Sequence, residues 1–90
     1  MDYTVYILFS LSLNKYYIGY TSGPIDERIR KHLTADSGFT SHAKDWTLKY
    51  QEHFIDKLSA LKREKEIKSW KKRDRIEALF RSEDSQLTVD

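Results

Sequence analysis

There is no cysteine in the chain, and only one proline and three glycines. Without thiols, neither a disulfide framework nor a thiolate zinc site can form. The three histidines, His32, His42 and His53, are separated by ten and eleven residues, a spacing that fits no zinc-ligand pattern. No apolar run approaches the roughly 20 residues of a membrane span. The N-terminus also lacks the basic region and apolar segment of a secretory signal. These absences lead to the expectation of a soluble, cytoplasmic protein with no membrane contact.

Ninety residues, 39% of them hydrophobic, suffice for one domain with one modest core. Aromatic residues supply 13% of the chain, so that core should rest on large rings. The net charge of +2 hides an uneven distribution. Nine basic residues between Lys57 and Arg75 face only Glu64, Glu66 and Asp74, whereas Ile76 to Asp90 carries four acids and one arginine. A concentrated basic stretch suits a polyanion such as nucleic acid, although a solvated helix with internal ion pairs is the plainer reading of this feature alone.

Tyr3 to Phe9 is aromatic, β-branched and uncharged, the pattern of a buried central strand. A short loop containing Ser12 and Asn14 separates it from a second strand, Tyr16 to Thr21, which implies an antiparallel hairpin. Pro24, with Asp26 and Glu27 behind it, signals a helix start. That helix is expected to reach about Leu33, with Ile25, Ile29 and Leu33 as its apolar stripe. Thr34 to Asp45 is polar and long for a connection, a feature of functional or mobile loops. Trp46 to Phe54 alternates as a half-exposed strand, possible at a sheet edge, with Trp46, Leu48, Tyr50 and Phe54 expected on one face. Asp56 can cap a helix from Lys57 to about Trp70, and Arg73 to Phe80 reads as a final short helix. The fold class is therefore α+β. A three-stranded antiparallel sheet packs against helices in the order β-β-α-β-α-α, as one domain over residues 1–81 followed by a flexible tail over 82–90.

Three places break the local rules. Tyr6 and Tyr17 sit at nearly equal distances from the hairpin turn and should meet across the strands; beside them Gly19 weakens a strand, which often marks a close approach. Arg28 and His32 are four residues apart and share a helix face. Glu64 lies one turn from Ala60, Leu61 and Ile67, the core-facing side of its helix, where an unpaired carboxylate is costly. Either a metal ion or Lys68, one turn on, could satisfy it.

Each feature has an ordinary structural explanation, but their order along the chain carries more. Thr4-Val5-Tyr6, Tyr17-Ile18-Gly19, Arg28 with His32, and Glu64 within Ala60 to Lys68 together resemble the GIY-YIG nuclease superfamily. The resemblance extends from Tyr3 to Phe80 and is nearest to small stand-alone bacterial members, distant relatives of the N-terminal incision domain of the excinuclease and of homing endonucleases. Thr-Val-Tyr stands where Gly-Ile-Tyr is usual. Tyr20 follows Gly19 where some relatives have lysine, and the asparagine near the end of many members has no clear counterpart in Trp70 to Phe80.

The resemblance implies a metal-dependent endonuclease that hydrolyses phosphodiester bonds. Its partner would be nucleic acid, by preference DNA, with a repair role conceivable through the excinuclease relationship. In that reading Glu64 holds one Mg²⁺ or Mn²⁺ and Arg28 grips the phosphate. Tyr6 and Tyr17 position the attacking water. A free phenol has a pKa of about 10, so the tyrosine that serves as base needs positive charge nearby or a proton acceptor such as His32. Gly19 would admit phosphate or metal-bound water close to the backbone, and Lys68, Lys71 and Lys72 would contact the phosphates of the substrate. Branched, single-stranded and damaged DNA, and RNA, all stay open. Specificity would come from the Thr34 to Asp45 loop, a protein partner or substrate shape. The alternatives are a catalytically weak nucleic-acid-binding module acting in a complex, and a protein-interaction domain that uses the exposed face of the Trp46 to Phe54 strand.

Affinity for any duplex should fall steeply with added salt, because bound lysines release counterions from phosphates. Reversing the charge of Lys68, Lys71 and Lys72 should weaken binding to all sequences about equally. Titrations across a salt series check this, and binding indifferent to salt would contradict it.

Overall fold

The computed structural model describes residues 2–89, with side chains described through residue 81. The elements are β1 (Tyr3–Ser10), β2 (Lys15–Thr21), α1 (Ile25–Leu33), a 3-10 turn (Phe39–His42), β3 (Trp46–Phe54), α2 (Lys57–Ser69) and α3 (Arg73–Val89). The expected order β-β-α-β-α-α is therefore present, with the 3-10 turn as an addition inside the long loop. The last helix, expected to end near Phe80, continues to Val89, and the side chains of the 82–90 segment expected as a tail lie outside those described.

All pairing is antiparallel, in the order β2-β1-β3. β1 takes the centre because it is the strand that can bury both faces: Val5, Tyr6, Ile7 and Leu8 are all fully enclosed. Side chains alternate across a strand, so Val5 and Ile7 pack on one side with Ile18, Ala60 and Ile67, flanked by Ile76 and Leu79. Tyr6 and Leu8 pack on the other side with Ala43 and Trp46, flanked by Ile25, Ile29 and Leu33. The stripe on α1 thus covers one face, while α2 and α3 cover the other. The sheet is a middle layer between two small cores.

Local chemistry explains the ends of the elements. Four residues join β1 to β2, with Asn14 in the left-handed region at φ 55°, a conformation asparagine tolerates better than most residues. This loop is tied to the start of β3 by Asp45, which accepts from Ser10 Oγ at 2.6 Å and from the Ser12 amide at 2.8 Å. Pro24 stands at the cap position of α1, one residue before the helix and not inside it. Asp56 caps α2 as anticipated, accepting from the Ser59 amide at 2.8 Å. Between β3 and α2, Arg63 makes a forked ion pair with Glu52, its Nη2 at 2.9 Å, and its guanidinium lies 5.4 Å from the Trp70 ring centre.

The structure corrects the reading of β3. It is an edge strand, but its apolar residues do not share one face. Tyr50 pairs with Ile7 while Leu48 pairs with Leu8, leaving Lys49 as an extra residue between them. Such a bulge sends the residues on either side of it to opposite faces. Trp46 and Leu48 therefore join the core under α1, whereas Tyr50 and Phe54 join the core under α2. Simple alternation could not reveal this, because the residues still recur at every second position.

The bulge yields a test. Deleting Lys49 would restore regular pairing and turn Trp46 and Leu48 away from Tyr6, so the variant should lose cooperative unfolding or melt far below the parent. Lys49→Ala, which keeps the extra residue, should stay within about 0.5 kcal/mol of the parent. Thermal denaturation of the two variants side by side makes the comparison.

Candidate active site

The site is built on the face of β1 and β2 that α1 covers. Gly19, not Tyr17, is the direct partner of Tyr6; Tyr17 pairs with Leu8. The two tyrosines are therefore diagonal neighbours on one face, with ring centres 6.4 Å apart, two residues out of direct register. The reason lies in the hairpin, which closes at Ser10 and Lys15 and so leaves Tyr6 two residues farther from the turn than Tyr17.

That offset lays the ring of Tyr6 across Gly19. A Cβ at position 19 would stand 2.7 Å from the Tyr6 hydroxyl oxygen and 3.0 Å from Tyr17 Cε2. The close approach that Gly19 permits is thus the phenol's own. Admission of phosphate to the backbone is a separate matter.

Arg28 and His32, one turn apart on α1, both reach the Tyr6 hydroxyl. His32 Nε2 lies 2.7 Å from it and Arg28 Nε 3.2 Å. The roles in this chain can be assigned from donor inventory. Arg28 can only donate, so the Tyr6 oxygen accepts from it. With Arg28 on one side, His32 Nε2 is within reach to accept the phenol proton in the tautomer that leaves this nitrogen unprotonated. In that tautomer the other imidazole nitrogen, Nδ1, carries the hydrogen and donates to Thr40 Oγ1, 3.0 Å away. Thr40 is held in turn, because its carbonyl accepts from Trp46 Nε1 at 3.0 Å. Tyr6, His32, Thr40 and Trp46 are all buried, and each of these groups left unpaired would cost about 1–3 kcal/mol.

Burial also sets the proton affinities. Tyr6 is raised above its ordinary value of 10.0: desolvation outweighs the hydrogen bond and charge of Arg28, and the charge of Glu64 adds to the rise. Both the nearby positive charge and the candidate proton acceptor that the sequence reading called for stand at the hydroxyl, although in the free protein Arg28 only moderates the larger effect of burial. His32 is lowered from its ordinary 6.5, first by burial and then by repulsion from Arg28. A neutral imidazole facing a neutral phenol is the resting arrangement. Tyr17 completes the cluster, its ring edge-on to His32 at 4.9 Å.

Glu64 stands apart from this hydrogen-bonded group. Its side chain is 13% exposed and pairs with Lys68 at 3.1 Å, so the ion pair expected as the ordinary alternative is present. Its charge makes only the smallest contribution to the rise at Tyr6, after burial and the Tyr17 hydroxyl. Among the described residues there is no group of three or more His, Asp or Glu side chains arranged to hold a metal ion. Lys71 and Lys72 are exposed in the link between α2 and α3. Lys71 lines a cleft with Lys15, Tyr16 and Arg73 at the hairpin end of β2, while Arg28 and Lys31 line another beside Thr21 to Pro24. Basic side chains therefore border β2 at both ends.

Sequence reasoning missed Thr40 and Trp46. Nothing in a polar loop distinguishes a threonine that orients a histidine, and Trp46 reads only as a core residue. The nearest signal was the length of the loop itself.

The family model described as the GIY-YIG catalytic domain matches residues 2–77. Among solved structures, the solution NMR structure of the UPF0213 protein BH0048 from Bacillus halodurans is similar, with a TM-score of 0.53 and 29% identity over 86% of this chain and 81% of that one. None of the curated proteins matches. Among the described residues no helix is long and apolar enough to cross a membrane.

His32 makes stability depend on pH in a defined window. Its folded value is depressed, so below about pH 6.5 the unfolded chain takes up a proton that the folded protein refuses. Stability should hold above that pH and decline as the pH falls from 6.5 toward the folded value. Melting curves should show this decline, and His32→Gln should flatten it. The carboxylates with lowered values, Asp45, Glu52, Asp56 and Glu77, act only at lower pH.

Proposed function

Since the chain belongs to the GIY-YIG nuclease family, we propose that it is an endonuclease that hydrolyses phosphodiester bonds in DNA with the help of one divalent metal ion. The observation that carries this reading is the set of contacts that places Arg28 Nε and His32 Nε2 on the Tyr6 hydroxyl, with Thr40 against the far side of the imidazole. A buried phenol with a cation on one side and a neutral imidazole on the other has somewhere to send its proton. As a water approaches phosphorus, Tyr6 takes the water's proton and passes its own to His32 Nε2. The imidazolium that results is held in orientation by Thr40. Arg28 stays hydrogen-bonded to the phenol oxygen and offers its remaining N–H groups to the phosphate, whose charge grows in the transition state. Tyr6 is enclosed in the free protein, so substrate must displace a neighbour for water to reach its oxygen. Half-buried Tyr17 lies beside it on the edge strand.

The donor chemistry fits a hard cation. Glu64 offers one carboxylate and the chain has no thiol, which suits an ion that keeps most of its waters and takes few protein ligands. Glu64 would hold Mg²⁺ or Mn²⁺, with Lys68 giving way. The ion would stabilise charge on phosphate oxygens and the leaving group. The Glu64–Lys68 pair also favours a second reading, a binding module that keeps the fold and cuts poorly. Metal-dependent nicking separates the two.

Glu64→Gln is the decisive variant. It keeps shape and hydrogen-bonding capacity but removes the charge. If Glu64 anchors the metal, cleavage should fall by orders of magnitude while DNA affinity holds or tightens. Stability should change by no more than about 0.5 kcal/mol, the usual worth of an i,i+4 pair. If Glu64 serves only Lys68, activity should instead follow the folded fraction. Melting temperature, DNA affinity and Mg²⁺- or Mn²⁺-dependent nicking, measured on one preparation, distinguish these outcomes. Glu64→Gln protein that cuts like the parent would remove the metal site from the proposal.

A further inference from the structure

Among the described residues, Phe39 is the aromatic ring of this face that opens to water. It is 43% exposed and lies nearly parallel to Tyr17, with 17° between the ring planes and 6.1 Å between centres. Trp46 and exposed His42 approach it at 5.8 and 6.5 Å. A row of rings therefore runs from enclosed Tyr6 through half-buried Tyr17 to solvent at Phe39. The backbone is arranged for this, since Gly38 just before it has φ 84° and ψ −178°, a conformation essentially restricted to glycine.

An exposed phenylalanine by itself is ordinary. Phe39 differs because one part of its ring is packed on Tyr17 and Trp46, which fixes its orientation, while the rest is open. A fixed, open ring face is what a nucleobase stacks on. Bases inside a duplex stack on each other and offer only their edges in the grooves, so the matching ligand is a base that has left the stack or was never paired.

We infer that Phe39 is a stacking platform for an unpaired nucleobase beside the scissile phosphate, and that the substrate is DNA carrying such a base, as at a bulge, flap or flipped nucleotide. This rests on the nuclease reading above and names the substrate class for that site. Lys31 and Arg28 line the cleft next to Pro24, together with Glu27, and would meet the backbone that leads to the stacked base.

The test is equilibrium binding without divalent metal, so that nothing is cut. Three labelled probes are compared: a fully paired duplex, the same duplex with one unpaired nucleotide, and the same again with that nucleotide abasic. The parent protein should prefer the unpaired base over both others by on the order of tenfold. Phe39→Trp should keep the preference. Phe39→Ala and Phe39→Leu should both lose it while binding the paired duplex unchanged. Leucine still covers Trp46 but has no π face, so it separates stacking from simple packing even if the alanine variant is poorly folded. Retained preference in Phe39→Leu, or equal binding of the abasic and unpaired probes by the parent, would overturn the platform. Salt-sensitive duplex binding with no preference would sink only this inference, whereas no binding to any probe at low salt would sink the nuclease reading as well.

Discussion

A hydroxyl enclosed at the centre of a sheet must find its partners inside the protein, and the Tyr6 hydroxyl is the group around which this molecule is arranged. Arg28 and His32 can meet it only if α1 lies across β1 and β2 at one height. His32 can receive its proton only if the loop after α1 returns to place Thr40 against Nδ1. The ring can lie flat only where the neighbouring strand has no side chain, which is at Gly19. Three segments distant in sequence are thus tied to one oxygen atom, and the penalty for an unpaired buried polar group makes the arrangement a single choice.

The two faces of the sheet carry different duties. Under α2 and α3 the contacts are structural: an aliphatic core, the Arg63–Glu52 fork, and Arg73 packed over Tyr16 and Phe9 with Glu77 bridging Tyr16 and Arg73. Under α1 the core is aromatic and polar, and it ends in rings that reach solvent. Glu64 belongs by position to the first side, on α2, and its charge makes only the smallest contribution to the rise at Tyr6 of the second. A ladder with a bulge serves this division, since Lys49 lets one strand supply Trp46 and Leu48 to the chemical face and Tyr50 and Phe54 to the structural face.

Burial also sets the charge state of the two central groups. It raises the phenol and lowers the imidazole, keeping both neutral, and Lys68 occupies the carboxylate on α2. In the proposed reaction a bound phosphate and metal ion would have to change each of these states.

The sequence by itself determined the strand and helix order, the central position of β1, the capping of α2 by Asp56 and the face shared by Arg28 and His32. Those follow from periodicity and local hydrogen bonding, which act over a few residues and are written in neighbouring letters. The ordered motifs also singled out Tyr6, Tyr17, Gly19 and Glu64. The diagonal offset of the tyrosines, the bulge at Lys49 and the hold of Thr40 on His32 were decided only by the tertiary structure. Strand register depends on how a whole turn closes, a bulge leaves the every-second-residue pattern intact, and a histidine's second partner is whichever group the fold brings within reach. The same holds for Phe39, whose letter says only that it is apolar, and whose place at the open end of an aromatic row exists because Gly38, Tyr17 and Trp46 meet there in space.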